Sequence, residues 1–281
     1  ASYENIYDEK TGRWSESRYY GTDEKLTWRK EYGYAIARLE YDTYGRAKLY
    51  TYYGIDEQPV ISTYYCCAGM EYLYDEKGNR KEIRYLSADG SLMTRIDFGF
   101  AQIVQTYSDS GRLIGEAYLD PEDQPAVWKE KGYASYEEVF AENGMLLESR
   151  YYGLDGSLVL RKDMGYAIVK YEYDAYGRMT SQAFYGTDGK AIISTEHDCA
   201  MITYHYENGN MAEICYYGMD GQPINRADYG CAQIREEYDD FGSVIKESYF
   251  DAKGQPVYRK DVGYASWEKV FDSYHRCLEI R

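Results

Sequence analysis

Side chains able to contact a ligand recur along this chain in rows. One row is the second aromatic of a repeated pair: Tyr20, Tyr53, Tyr152, Tyr185 and Tyr217, with Phe250 in the same place. Another is the middle residue of a Gly-aromatic-Ala motif: Tyr34, Phe100, Tyr133, Tyr166 and Tyr264. A third is arginine: Arg29, Arg95, Arg161, Arg226 and Arg259. A flat ring beside a guanidinium suits the apolar face of a sugar, or a cation held over the ring. The same pairing also arises when arginine simply stacks on tyrosine between neighbouring hairpins. The candidate binding set is therefore Tyr20, Tyr34, Tyr53, Tyr133, Tyr152, Tyr166, Tyr185, Tyr217 and Tyr264, with Arg29 and Arg161.

No catalytic constellation accompanies these rows. His197, His205 and His275 do not recur, and no Ser/His/Asp logic, phosphate loop or dinucleotide fingerprint is present. The recurring acids Asp23, Asp56, Asp89, Asp155, Asp188 and Asp220 fall in turns, where a carboxylate bonds nearby backbone N–H groups. No dense oxygen-ligand loop points to calcium. The six cysteines lack metal-ligand spacing. Cys67, Cys199 and Cys231 share one repeat position and read as small buried hydrophobes, with a Cys199–Cys231 bridge left open. The expectation is no enzyme, no metal and no cofactor.

The elements that must position these rows are short and repeated. The residues following the paired aromatics (21, 54, 87, 120, 153, 186, 218, 251) differ by 33, with one step of 32. A fixed period of this size marks a stacked array whose units cannot each bury their own apolar face. Residues 165–173 alternate with period two, as a strand does. Asp174-Ala175-Tyr176-Gly177 is a turn, Arg178–Tyr185 a second strand, and Gly186-Thr187-Asp188-Gly189 a second turn before an extended return segment. The return opens with Gln-Pro at Gln58, Gln124, Gln222 and Gln255, which argues for an edge or connection. The predicted fold is all-β: an elongated array of stacked β-hairpins, a β-solenoid of about eight 33-residue units over 1–281.

Two aromatic positions hold the register. One precedes the first turn (Tyr41, Tyr74, Tyr107, Phe140, Tyr173, Tyr206, Tyr238, Phe271). The other opens the pair (Tyr19, Tyr52, Tyr85, Tyr118, Tyr151, Phe184, Tyr216, Tyr249). A slip of one residue would turn every ring to the wrong face. Both rows are expected to be structural. Glu16–Gly21 matches Glu148–Gly153, and Gly99–Thr106 matches Gly230–Glu237, which predicts a four-unit block copied once, approximately 16–146 and 148–278. One core-facing position runs Leu39, Tyr72, Gln105, Glu138, Tyr171, Tyr204, Glu236, Lys269. Its polar members open that side to water or line a groove.

The net charge of −16 disfavours nucleic acid and anionic membrane surfaces. No apolar run is long enough to span a bilayer, and no secretory leader is visible. The chain starts and stops inside a repeat without a polar cap, which predicts a segment of a longer protein.

Tyr171–Arg178 reads YxYDxxGR, and Leu39–Arg46 differs only at the first aromatic. This resembles the YD repeat of the RHS family, whose hairpins build spiralling β-sheets. The Tyr-Tyr-Gly-x-Asp-Gly-x-Pro-Val pattern resembles the aromatic hairpin repeats of bacterial cell-wall-, choline- and glucan-binding modules. The second resemblance implies a non-catalytic module, at the cell surface or secreted, that binds a carbohydrate polymer or cell-wall component. The first implies a structural scaffold, stalk or shell segment. An appendage to a surface-polymer enzyme is a third expectation.

Overall fold

The computed structural model describes residues 2–272, 274 and 276–281; His275 lies outside them. The chain divides into two compact units, Ala1–Glu137 with Gly153–Gly156, and Glu138–Tyr152 with Ser157–Arg281. The first holds β1 (Ser2–Tyr7), β2 (Trp14–Tyr20), β3 (Ile36–Tyr41), β4 (Ala47–Tyr53), β5 (Gly69–Tyr74), β6 (Arg80–Leu86), β7 (Gln102–Tyr107), β8 (Leu113–Leu119) and the start of β9 (Ser135–Phe140). The second holds the end of β9 and β10 (Leu146–Tyr152), β11 (Ile168–Tyr173), β12 (Met179–Tyr185), β13 (Met201–Glu207), β14 (Asn210–Tyr217), β15 (Gln233–Tyr238), β16 (Val244–Phe250), β17 (Ser266–Phe271) and β18 (Cys277–Ile280). No helix occurs among the described residues, so none is long and apolar enough to cross a membrane.

Each unit is an antiparallel meander of tight hairpins. Within a hairpin the pairing is long: β3 meets β4 from Ile36↔Tyr53 to Tyr41↔Ala47, with a bulge at Glu40/Tyr41. Between hairpins it is short: β2 meets β3 only at Glu16↔Arg38, Ser17↔Ala37 and Arg18↔Ile36. The bulge recurs before the turn in β11–β12, at Glu172/Tyr173. Placed there, it adds local twist and aims the aromatic before the turn.

The turn chemistry follows the sequence. Gly177 takes φ +82° and donates its N–H to Asp174 O at 3.0 Å. The Asp174 carboxylate accepts the N–H groups of Tyr176 and Arg178 at 2.9 and 3.0 Å. The second turns are built likewise: Asp188 accepts Lys190 N–H, and Asp220 accepts Gln222 N–H, both at 3.0 Å.

The short pairing between hairpins is extended by two devices. The first is the alanine of Gly-aromatic-Ala. Ala167 donates its N–H to Tyr185 O and accepts Tyr151 N–H, so one fully buried residue bonds the strands on both sides. Ala35 does the same for Tyr53 and Tyr19. The second is the aromatic before the turn. Tyr41, Tyr74, Tyr107, Tyr173, Tyr206 and Tyr238 each donate their hydroxyl to a carbonyl 27 residues earlier, on the preceding hairpin, at 2.7–3.1 Å. That row is a set of ties between hairpins as well as a register mark.

The core is aromatic. Tyr52, Tyr85, Tyr118, Tyr151, Phe184, Tyr216 and Tyr249 are buried, as their alternation predicts. Burying each such side chain contributes about 1.5–3 kcal/mol. Cys67, Cys199 and Cys231 are fully buried and unbridged. Gln105 is buried too, but it is satisfied inside the fold. It donates to Glu116 at 2.7 Å and accepts from Arg80 at 3.2 Å, and it shares the one Tyr107 hydroxyl proton with Arg80 O, each at 3.1 Å. Its polarity therefore does not mark a groove.

Candidate functional site

The three rows of candidate residues end in different places. The Gly-aromatic-Ala row goes inward. Tyr34, Tyr133 and Tyr166 are 4–5% exposed, which corrects the expectation of an outward row. The reason is local. Arg161 N–H bonds Tyr166 O, and Gly165, at φ +75°, folds back on Arg161 O. Residues 161–166 are a tight loop, so strand parity does not extend through Tyr166. Its ring lands between Tyr151 (6.2 Å) and Phe184 (5.0 Å). Tyr34 likewise lies 5.9 Å from Tyr19 and stacks at 4.9 Å on Tyr52, and Tyr133 lies 5.9 Å from Tyr118. Tyr264 packs 6.1 Å from Tyr249 and is 39% exposed.

The arginines also go inward. The Arg161 side chain is 13% exposed, over the Tyr151 ring, with its fork on Asp163 at 3.0 and 2.7 Å and a bond to the Tyr151 hydroxyl at 2.9 Å. Arg29 lies 3.6 Å from the Tyr32 ring and donates to the hydroxyls of Tyr19 and Tyr34 at 3.0 and 3.3 Å. Arg95 and Arg226 repeat the arrangement on Asp97 and Asp228. Burial alone would raise the Asp97 and Asp228 carboxyls; the guanidinium beside each outweighs it and holds them below the usual range. Where serine replaces arginine, the residue three places on fills the gap. Tyr65 stacks on Tyr52 at 5.0 Å, and His197 on Phe184 at 4.9 Å.

The second-aromatic row faces outward as expected. Tyr20, Tyr53, Tyr152, Tyr185 and Tyr217 are all half-buried. Several are already engaged by charges on their own sheet. Arg38 lies 4.3 Å over Tyr53, Lys170 lies 5.3 Å over Tyr185 and Arg235 lies 4.6 Å over Phe250. The Tyr20 hydroxyl donates to Glu4 at 3.0 Å. These cations are held by glutamates on the neighbouring strand: Arg38 on Glu16 at 2.5 Å, Lys170 on Glu148 at 3.5 Å and Arg235 on Glu213 at 3.2 Å. The outer face is thus a ladder of glutamate, cation and ring.

The most exposed rings lie elsewhere, at hairpin tips. Tyr44, Tyr176, Phe241 and Tyr274 are 80–86% exposed. Their position two residues after a turn aspartate, followed by glycine in all but Tyr274, was the available signal, because a ring at a tip cannot reach the core. Grooves open beside these tips, one of about 490 Å³ at Tyr176 and Tyr206 among them. Another, about 640 Å³, is bordered by Arg13, Tyr41, Asp42 and Tyr44. A further one, about 670 Å³, is bordered by Asn208, Glu236, Glu237, Asp240 and Phe241. No group of three His, Cys, Asp or Glu side chains able to hold a metal is gathered among the described residues. His197 is half-buried and stacked on the core ring of Phe184, and His205 is exposed, 3.6 Å from Glu207.

No family model matches this chain, and no curated protein matches it. Solved structures do. The crystal structure of TcdB2-TccC3-TEV aligns over 100% of the chain at 13% identity with a TM-score of 0.54. The chain spans 12% of that protein's length. A Photorhabdus luminescens Tc holotoxin pore aligns over 99% of the chain and 17% of its own length at 12% identity, with a TM-score of 0.26, too low to compare folds. The first likeness is one of fold. It agrees with the YD-type pattern of the hairpins.

Proposed function

We propose that this chain is a non-catalytic structural scaffold, an array of about eight 33-residue hairpin units of which the second four copy the first, serving as a shell or stalk segment in a larger assembly. One observation carries the reading: the side chains best suited to grip a ligand are spent on the fold itself. Tyr34, Tyr133 and Tyr166 are core rings, and Arg29 and Arg161 are bonded to the core tyrosines Tyr34 and Tyr151. The fold likeness to the TcdB2-TccC3-TEV structure supports the same reading.

The outward row keeps a second reading in play: binding of a cell-envelope or extracellular glycan through Tyr20, Tyr53, Tyr152, Tyr185 and Tyr217, which are half-exposed. Regularly spaced weak contacts on one polymer can raise avidity by roughly 10²–10⁴. The two readings separate in one experiment. Tyr53→Ala and Tyr185→Ala are compared with the unaltered chain for urea stability and for retention on glycan arrays and isolated cell walls. The scaffold reading expects lower stability and no retention by either protein. Retention by the unaltered chain that is lost in the variants overturns it in favour of glycan binding.

A further inference from the structure

The return segments carry an acid at one position: Glu31, Asp97, Glu130, Asp163, Glu196, Asp228 and Asp261. In four of them that acid serves the arginine two residues earlier. In the second return segment Ser62 replaces the arginine, and a tyrosine, Tyr64, replaces the acid. Tyr64 is 61% exposed. Its ring centroid lies 4.8 Å from that of Tyr32 on the preceding return segment, with 37° between the planes. Tyr32 is half-buried, with the Arg29 guanidinium 3.6 Å from its ring centroid.

The two segments are clamped at this point. The Ser62 hydroxyl and Thr63 N–H both donate to Tyr32 O, at 2.6 and 3.1 Å. The same clamp exists where Ser194 and Thr195 donate to Met164 O, each at 3.0 Å. There the ring positions hold Met164 and Glu196. The clamp therefore closes without a ring pair, and the two phenols are an addition to it.

We propose that Tyr32 and Tyr64 form an oxidative cross-linking site, the substrate of a haem peroxidase with hydrogen peroxide. Each phenol gives up one electron and one proton, leaving two phenoxyl radicals. The radicals join through a new carbon–carbon bond between ring positions ortho to oxygen. The two ortho hydrogens move to the oxygens as the rings regain aromaticity. Peroxide takes up the two electrons and two protons and leaves as two waters, so the chain loses two hydrogens. Rings already held in contact, tilted by 37°, need no diffusive encounter, which favours this pair over tyrosines that must meet. The product is a staple closing the loop between two return segments and restricting the unfolded chain.

The test uses the full chain, dilute, with thiols reversibly blocked because Cys66 lies two residues from Tyr64. It is treated with a haem peroxidase and limiting hydrogen peroxide. The expected result is a monomer lighter by two hydrogens, dityrosine fluorescence, and a peptide map joining the Tyr32 and Tyr64 fragments. Tyr65 lies 6.2 Å from Tyr32 and 5.0 Å from Tyr64, edge-on to the latter, so the readout is the mapped peptide: Tyr64→Phe and Tyr32→Phe keep the ring contact and should each abolish the Tyr32–Tyr64 peptide and cut the monomeric dityrosine yield about tenfold or more. The cross-linked monomer should unfold at a higher urea concentration than the untreated chain. The proposal fails if dityrosine maps to Tyr44, Tyr176 or Tyr258 without a Tyr32–Tyr64 peptide. It fails equally if only covalent dimers form, or if Tyr64→Phe leaves the yield unchanged.

Discussion

Replacing Arg95 by methionine separates a structural role for the arginine row from a ligand role. The Arg95 guanidinium lies 3.9 Å from the Phe98 ring and 4.7 Å from the Tyr85 ring. Its fork meets Asp97 at 3.1 and 2.6 Å. The arginine side chain is 10% exposed, so its two ring contacts are largely desolvated and together stabilise by about 2 kcal/mol. The ion pair adds less than a fully buried one, because the Asp97 side chain is 38% exposed and rehydrates when the arginine goes; about 1 kcal/mol remains after that screening. Methionine returns about 0.5 kcal/mol through sulfur–ring contact and filled volume. The net loss is about 2–3 kcal/mol, or roughly 4–12 °C in the unfolding midpoint at about 2–4 °C per kcal/mol for a chain of this order of size. Asp97→Asn in the Arg95→Met background should restore less than about 0.5 kcal/mol, since the carboxylate already reaches water. Urea unfolding followed by far-UV circular dichroism and tyrosine fluorescence measures both. A loss below about 0.5 kcal/mol for Arg95→Met would refute the claim that the row is consumed by the core.

Tyr74→Phe keeps the ring under Arg46 at 4.2 Å but removes the bond from its hydroxyl to Ala47 O at 2.8 Å; urea unfolding should show a loss of about 0.5–1.5 kcal/mol. Gly33→Ala places a methyl 2.6 Å from Thr63 Oγ1 at φ +69°, and the same assay should show a loss of about 1–3 kcal/mol. Burial, aided by Arg226 and opposed by Glu196, pushes His197 below its ordinary value of 6.5. The unfolded chain then binds that proton more readily than the folded one. Stability is full above pH 6.5, falls as pH drops through it, and levels below the lowered folded value. Thermal midpoints from pH 7.5 to 5 should fall less steeply in His197→Phe than in the unaltered chain.

Much of the fold was legible before any coordinates. Alternation, the Asp-x-x-Gly turns and the two unbroken aromatic positions specify hairpins, because period two and turn chemistry are local properties. Both strands of the hairpin at 168–185 end where expected, at Tyr173 and Tyr185, and the second starts within a residue of its expected bound, but the first starts at Ile168, three residues after the Gly165 from which the alternation runs. Buried Tyr52, Tyr85 and Tyr118 follow from parity alone. The outward placement of Tyr20, Tyr53, Tyr152, Tyr185 and Tyr217 followed as well. That Arg38 and Lys170 already cover two of these rings could not, since each cation comes from the adjacent strand.

What the amino-acid order determined by itself was the strand, the turn and which rings share a strand face. Only the tertiary structure decided where the return segments lay their side chains. Tyr166 left the parity of its strand because a loop closed by Arg161 and Gly165 carries it under the neighbouring hairpin. Arg95, polar and long, is buried because two rings and Asp97 converge on it from the same return segment and the strand beside it. Parity fades wherever the backbone stops being extended, and a guanidinium's burial depends on partners assembled only when hairpins stack.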